Sequence, residues 1–312
     1  MRAIGVTNYG PPEVLKVIDL PEVHAGPGQV RIRVLAATVN PTDMSVRNGS
    51  RAEMQKSDPP PYVPGMDIAG VIDEVGAGAL GAFLVGDSVM AMVIPKGSHG
   101  GYRQQIALNS RSVVRAPAGA TLVEAATLPM NGLTARQTLD LLALKPAQIL
   151  AVTGAAGAYG GYVIQLAKAG GLTVIADASD SDRSLVSALG ADIVVQRGDD
   201  VATRIRAHFP NGVDGLADGA VQKELVIPAV RDGGAFASVR GFKGESQRGI
   251  RFETVSVRIY DGDFEKLDQL RRMVEEGKIT LRVAETYPPE RAAEAHRRLE
   301  AGGTRGRLVI QF

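Results

Sequence analysis

The residues with the clearest chemical meaning are Gly154-Ala155-Ala156-Gly157-Ala158-Tyr159-Gly160. They follow a short apolar run, Ile149 to Thr153, and precede a stretch of helical spacing from Tyr159 to Ala169. Small side chains let a backbone approach a pyrophosphate closely, and the start of a helix offers N–H groups and a positive dipole end. Strand, small-residue turn, helix and a second strand in succession make a dinucleotide-binding corner. The turn departs from G-x-G-x-x-G, because counting back from Gly160 puts Ala155 where the first glycine belongs. The competing reading is a tight turn needed for packing alone.

The end of the second strand should then read the adenine ribose. The residues there are Ala176-Asp177-Ala178-Ser179-Asp180-Ser181-Asp182-Arg183. Asp177 stands seventeen residues past Gly160, near the acidic position that favours NAD. Ser179 and Arg183 could instead hold a 2′-phosphate, since Arg pairs with phosphate through two parallel hydrogen bonds. A solvated Arg in a helix-capping region is the plainer alternative. The residues leave both cofactors open, with a lean towards NADP. Further on, Ser238-Val239-Arg240-Gly241 ends another strand, where ligands of such sheets bind, or else forms a polar turn.

The elements around these residues fall into three stretches. Up to about residue 120 the chain reads as antiparallel strands with long loops. Gln29 to Ala36 alternates, with Val30, Ile32 and Val34 opposite Arg31 and Arg33, and Asp67 to Val75 and Asp87 to Val93 are short apolar runs. From Gln148 to Val239, strands and helices alternate, which argues for a parallel sheet covered on both faces. From Thr254 the expectation is a strand to Tyr260, a helix from Asp263 to Glu276, a second helix after Pro288-Pro289-Glu290, and a last strand, Leu308 to Ile310. These could extend the parallel sheet or return to the first stretch.

Composition excludes several classes of function. With no Cys in 312 residues there is no disulfide framework, thiolate nucleophile, iron–sulfur cluster or Cys-ligated zinc. The net charge of +1 lacks the electrostatic footprint of a nucleic-acid binder, and no apolar run suits a membrane span or a signal peptide. The expectation is a cytoplasmic protein with neither membrane nor nucleic-acid partners.

A set of motifs, in order along nearly the whole chain, resembles one family. Asn40-Pro41-Thr42-Asp43 with Arg47-Asn48-Gly49 is similar to its N-P-x-D…R-x-G stretch. Tyr62-Val63-Pro64-Gly65-Met66-Asp67-Ile68-Ala69-Gly70, Val85-Gly86-Asp87, Gly100-Gly101-Tyr102, Leu128-Pro129 with Gly132-Leu133-Thr134-Ala135, Leu189-Gly190-Ala191-Asp192, and Ala295-His296-Arg297 through Gly306-Arg307-Leu308-Val309 match as well. The family is the zinc-independent quinone oxidoreductase and zeta-crystallin-like branch of the medium-chain dehydrogenases/reductases.

The resemblance implies an α/β protein of two domains. A GroES-like, β-rich catalytic domain is expected from residues 1–120 and 261–312, and a doubly wound Rossmann domain from 121–260, with the cofactor in the cleft between them. It implies a homodimer or homotetramer paired through the Rossmann domain. It also implies NADPH, with Arg183 in the place of the family's basic contact to the 2′-phosphate. Thr134 is similar to the family's nicotinamide-side threonine, with Asn131 beside it.

Zinc-dependent relatives of this family present Cys where this chain has Asn40, G-H-E at Gly65-Met66-Asp67, and Cys near Met130. His24, His99, His208 and His296 are scattered, so no metal is expected. Without a Lewis acid the substrate must accept hydride readily, as quinones and α,β-unsaturated carbonyls do. Asn40 and Asp43 are the candidates for the carbonyl pocket, against a plain turn or helix cap, and Tyr62 is a candidate to meet the substrate. The alternatives are an enoyl reductase of one biosynthetic pathway, and a low-turnover NADPH sensor or nucleic-acid binder.

Overall fold

The computed structural model describes every residue except Gly81 and Lys243. The chain forms two compact units, Met1–Met130 with Tyr260–Phe312, and Asn131–Ile259. In chain order the first unit contains β1 (Arg2–Gly5), β2 (Lys16–Asp19), β3 (Gln29–Thr38), α1 (Pro41–Asn48), α2 (Ala52–Gln55), β4 (Asp67–Val75), β5 (Ser88–Met92), β6 (Gln105–Asn109), β7 (Val113–Arg115) and α3 (Leu122–Ala125). The chain passes into the second unit within α4 (Pro129–Leu142). There follow β8 (Ile149–Thr153), α5 (Ala158–Ala169), β9 (Thr173–Ala178), α6 (Arg183–Ala188), β10 (Ile193–Gln196), α7 (Val201–His208), β11 (Val213–Asp218), β12 (Val230–Ser238) and β13 (Arg251–Thr254). The chain then returns to the first unit with α8 (Phe264–Glu275), β14 (Val283–Tyr287), α9 (Ala292–Glu300) and β15 (Arg307–Gln311).

In the first unit β3 is the organising strand. Val30, Ile32 and Val34 are buried and Arg33 is exposed, as alternation requires of a strand with one face on the core. It pairs antiparallel with β4, β6 and β15. The seven-stranded sheet runs β14-β15-β3-β4-β5-β7, with β6 also on β3. The last stretch of the chain therefore joins this sheet and does not extend the parallel one. Pro41 opens α1 at a position where its missing N–H costs nothing, and Gly49, at φ 81°, ends it. In α8 the Asp263 carboxylate accepts the Lys266 N–H at 3.1 Å, the expected cap.

The second unit is a six-stranded, all-parallel sheet in the order β10-β9-β8-β11-β12-β13. This is the doubly wound dinucleotide-binding topology, with the strand order reversing at β8 and β11. Its central strands are buried along most of their length because helices cover such sheets on both faces.

One element corrects the reading of the sequence. The strand expected from Thr254 to Tyr260 is instead β13, ending at Thr254, and a single 3-10 turn at Val257–Tyr260. β13 pairs with β12 from Ala235 opposite Arg251 to Ser238 opposite Thr254. β12 ends at Ser238, so the ladder has no partner to carry it further.

Candidate functional site

In the first unit the candidate residues sit where β3, β4 and β15 converge. Val309 of β15 faces Thr38 of β3 in antiparallel register, which carries Arg307, two residues earlier, to Asn40, two residues beyond Thr38. The Arg307 guanidinium donates to Asn40 Oδ1 at 2.7 Å and to Asp67 Oδ2 at 2.9 Å, and also to the Thr38 hydroxyl. Asn40 Nδ2 and Thr38 Oγ1 donate to the same Asp67 oxygen at 2.8 and 2.6 Å. The other Asp67 oxygen accepts the Met130 N–H, near the start of α4. Asp67 is completely buried and Arg307 nearly so, and this charge pair is stripped of water.

Asp43, also fully buried, begins a second chain of contacts. Its carboxylate accepts the N–H groups of Asn40 and Gly65, both at 2.8 Å, and the Tyr102 hydroxyl at 3.2 Å. Tyr102 Oη lies 3.2 Å from His296 Nε2, and Arg47 NH1 lies 3.3 Å from His296 Nδ1. Arg47 also pairs with Glu300 at 2.6 Å. A guanidinium can only donate, so Nδ1 accepts and the imidazole proton sits on Nε2. Tyr102 then accepts from His296 and donates to Asp43. Burial pushes the Asp43 carboxyl up to about 6, against the pull of its two backbone hydrogen bonds. Burial pushes His296 down to about 3, helped by the Arg47 charge. His296 is therefore a neutral relay of hydrogen bonds at neutral pH.

Asn40 and Asp43 thus do lie together, and the helix-cap reading applies to them. Asp43 caps the Asn40 N–H, while the Asn40 carboxamide has both ends engaged by Arg307 and Asp67. Tyr62 is apart from this cluster. It stacks on Tyr9, with ring centroids 5.3 Å apart, and its hydroxyl donates to the Asp58 carbonyl at 3.2 Å. Tyr102, His296, Asp67 and Arg307 were not read as site residues. Each stands in a motif that marked the family, but their partners are up to 269 residues distant in the chain.

In the second unit the glycine-rich turn has the geometry of a cradle. Gly154 has φ +67°, and a Cβ there would meet the Gly219 and Ala220 backbone at 2.9–3.0 Å. A Cβ on Gly160 would fall 2.4 Å from the Gly154 carbonyl oxygen. Gly157 precedes α5 and leaves the first-turn amides of that helix, from Ala158 on, at its N-terminus. Ala155 and Ala156 are buried beneath the turn. The Ala155 N–H is not available to a ligand, because it donates to Asp177 Oδ1 at 3.1 Å. Burial raises the Asp177 carboxyl, opposed by the hydrogen bonds from Ala155 and Gly154.

α4 supplies the wall beside this turn. Asn131, Thr134 and Thr138 recur at three- and four-residue spacing, so they share one helix face. Thr138 Oγ1 lies 2.8 Å from Tyr159 Oη, which joins that face to the glycine-rich turn. Ser238 is completely buried and donates to Asp218 Oδ2 at 3.1 Å. Asp218 in turn accepts from the Thr153 hydroxyl at 2.8 Å and from the N–H groups of Gln222 and Lys223 at 3.0 and 2.9 Å. Thr153, Asp218 and Ser238 are the last residues of three neighbouring strands, so Asp218 ties together the carboxyl end of the sheet. Asp218 was missed because nothing local distinguishes it. Two non-glycine residues near it, Val221 and Lys223, adopt left-handed backbone at φ 58° and 55°, a conformation that costs a residue with a Cβ. Arg240 is exposed, also left-handed at φ 68°. Ser179 donates to Asp182 Oδ2 at 2.6 Å, and Arg183 donates to the Val194 carbonyl at 2.7 Å.

Two family models match the chain, an alcohol dehydrogenase GroES-like domain over residues 26–131 and a zinc-binding dehydrogenase over residues 189–310. The NADPH-dependent alkenal/one oxidoreductase of Arabidopsis thaliana chloroplasts is 30% identical over 99% of this chain and 79% of its own. A solved NAD-dependent alcohol dehydrogenase is 31% identical over the whole of both chains, with a TM-score of 0.89. The quinone oxidoreductase of Coxiella burnetii is 28% identical over 100% of this chain and 99% of its own, with a TM-score of 0.88. This chain belongs to the medium-chain dehydrogenase/reductase superfamily, in its zinc-independent quinone oxidoreductase, zeta-crystallin-like branch. It is an oxidoreductase that works with a nicotinamide cofactor.

The residues fit such a dinucleotide, since the Gly154 and Gly160 cradle is one that any Cβ would fill. They do not fit a zinc ion. At Asn40, Asp67 and Met130 the donors are an amide, one carboxylate and a thioether, and the Arg307 guanidinium already neutralises the carboxylate. Among the described residues no three His, Cys, Asp or Glu side chains gather at one point. No described helix is long and apolar enough to cross a membrane.

Proposed function

We propose that this protein transfers hydride from NADPH to a quinone or an α,β-unsaturated carbonyl compound without a metal ion, as a cytoplasmic homodimer or homotetramer. The observation that carries this reading is the dinucleotide cradle built in the second unit; within the first unit a cation, Arg307, is held where zinc ligands would otherwise converge. The bound nicotinamide supplies the hydride at its C4. The protein supplies position and exclusion of water.

The turn from Gly154 to Gly160 and the N-terminus of α5 hold the pyrophosphate. Asn131 and Thr134 on α4 face the nicotinamide side, with Ser238 and Arg240 at the strand ends beyond β11. Ser179 and Arg183, beyond the end of β9, meet the adenine ribose. Asn40 and Asp43, both buried, shape the carbonyl pocket through the backbone they fix, and Tyr62, apart from that cluster, is a separate candidate to meet the substrate. Without a Lewis acid such a site suits acceptors already polarised for conjugate or quinone reduction. The relatives' names point the same way, to alkenals, enones and quinones.

The test is a titration with NADPH and NADH, followed by a panel of quinones and enones monitored at the absorbance of the reduced nicotinamide. Tight NADPH binding with turnover on at least one acceptor class is expected. No binding of either nucleotide would overturn the reading. Turnover only on simple alcohols would overturn the substrate class.

A further inference from the structure

We propose that Arg103, with His99 beside it, forms an anion-binding site in the first unit that takes a carboxylate or phosphate group, either free or carried by the acceptor molecule. The site stands on the geometry of that unit alone, and only its use by an acceptor rests on the quinone or enone reading above.

Among the described residues three arginines are almost wholly buried, Arg47, Arg103 and Arg307, at 3, 4 and 4% exposed. A buried charge is stable when it is both paired and hydrogen-bonded. Arg47 meets Glu300 at 2.6 Å and Arg307 meets Asp67 at 2.9 Å. Arg103 meets no carboxylate among the described residues. Its Nη1 donates to the Ser98 carbonyl at 3.1 Å and its Nη2 to the Met1 sulfur at 3.7 Å, while Nε is buried and reaches no acceptor. A neutral carbonyl and a thioether compensate a full charge poorly. Burial alone acts on the guanidinium and pulls it down to about 10. Arg31, bonded to Asp73, is raised instead.

The backbone around Arg103 is fixed. Lys96 and His99 exchange backbone hydrogen bonds at 2.7 and 2.8 Å and close a tight turn. Gly100 follows with no room for a side chain, because a Cβ would fall 1.9 Å from the Val63 carbonyl oxygen. The Arg103 N–H donates to the Gly101 carbonyl at 2.8 Å, and its backbone bridges to Ala3. The bond to Ser98 then holds the guanidinium against the turn. Lys96 and Ser98 are exposed, so the turn that Arg103 contacts lies at the surface.

His99 supplies the second donor. Its ring is half-buried and is pushed down by burial and by the Arg103 charge, which the more weakly acting Asp261 does not offset. The neutral imidazole still carries one N–H. An oxyanion beside both residues would pair Arg103 and accept that N–H, and the planar guanidinium fork suits a carboxylate or a phosphate. Lys96 takes no part, since its ammonium lies 3.8 Å from Asp58 as a surface pair.

Calorimetry with sodium phosphate and with sodium acetate, at an ionic strength held constant with sodium chloride, tests the wild type, Arg103→Met, Arg103→Lys and His99→Ala. Thermal unfolding in the same solutions follows the stability of each. The wild type should bind at least one of the two anions saturably and melt higher in it than in chloride alone. Arg103→Met keeps an apolar stem without the charge. It should bind about tenfold more weakly or worse, and melt in chloride no lower than the wild type. Arg103→Lys keeps the charge without the fork and should fall between, and His99→Ala should weaken binding about three- to tenfold. The KM values of an enone carboxylate and of its methyl ester separate the two sources. A preference for the carboxylate that Arg103→Met loses at unchanged kcat assigns the anion to the acceptor. No preference, with phosphate or acetate still bound, assigns a free anion. No saturable binding together with no preference overturns the site, as does an Arg103→Met that binds like the wild type. An Arg103→Met that melts far below the wild type in chloride overturns the premise that the charge is uncompensated. Absence of turnover on both enones overturns the reductase reading, and the calorimetry still decides the site.

Discussion

The Tyr102 hydroxyl lies 3.2 Å from His296 Nε2, and the two rings meet edge to face at 79°, although the residues are 194 positions apart. This contact joins the C-terminal helix α9 to the strand-rich body of the first unit. It also passes a directed set of hydrogen bonds from Arg47 to Asp43, which holds the N–H groups of Asn40 and Gly65. The geometry of the Asn40 turn is thus set by residues from both ends of the chain.

The two buried titratable groups in that set oppose each other in pH. Asp43 is raised from 3.8 to about 6, so its contribution is present below 3.8 and is lost as pH rises through 6. His296 is lowered from 6.5 to about 3, so its contribution is present above 6.5 and is lost as pH falls through 3. Between pH 4 and 6 the folded state binds one more proton at Asp43 and one fewer at His296, and the slopes cancel. In His296→Asn the Asp43 slope loses its opposite, so the stability of the variant relative to wild type, measured by urea unfolding, should rise as pH falls from 6 to 4, by up to ~1.4 kcal/mol per pH unit. A difference between variant and wild type that does not change with pH would contradict the neutral, buried state of His296.

The Arg307–Asp67 pair is 4% and 0% exposed, and three further groups converge on the same carboxylate. Removing one member leaves a buried charge without compensation. Arg307→Met should therefore lower stability by about 3–5 kcal/mol. The exposed Arg2–Glu290 pair, at 49% and 56%, gives the control, and Arg2→Met should cost under about 1 kcal/mol. Denaturant midpoints read both, and equal small losses would show that Arg307 is not the buried counter-charge described.

The glycine-rich turn separates two kinds of glycine. A Cβ at Gly160 meets backbone atoms at 2.4, 2.8 and 2.9 Å, whereas at Gly157 only one backbone oxygen comes within 4 Å, at 3.2 Å. Gly160→Ala should destabilise by about 1–3 kcal/mol, because neither backbone can give way. Gly157→Ala should cost under about 1 kcal/mol. Melting temperatures of the two variants check the order, and reversal would place the close helix–strand contact elsewhere.

Much of the architecture was legible in the sequence because it is written locally. The period of two in β3, the apolar runs of β8 and β9 and the turn from Gly154 to Gly160 each lie within about a dozen residues. Their side chains decide by themselves which face is buried. α4 was not legible, since Gly132, Thr134 and Thr138 are weak helix formers and its stability comes from tertiary burial. The end of β13 could not be placed either, because a strand extends only as far as its neighbour.

The sequence by itself determined the family, the alternation of strands and helices from Gln148 to Val239 and the glycine turn, because these depend on residue type and short spacing. Only the tertiary structure decided what the polar residues do. It turned Asp177 towards the turn, tied Arg183 to β10, and put Arg307 on Asn40 and Asp67. The register of β15 on β3 and the burial of Asp43 and His296 are properties of contacts between distant segments. A buried charge or amide must find its partners wherever the fold brings them, and no spacing along the chain records that choice.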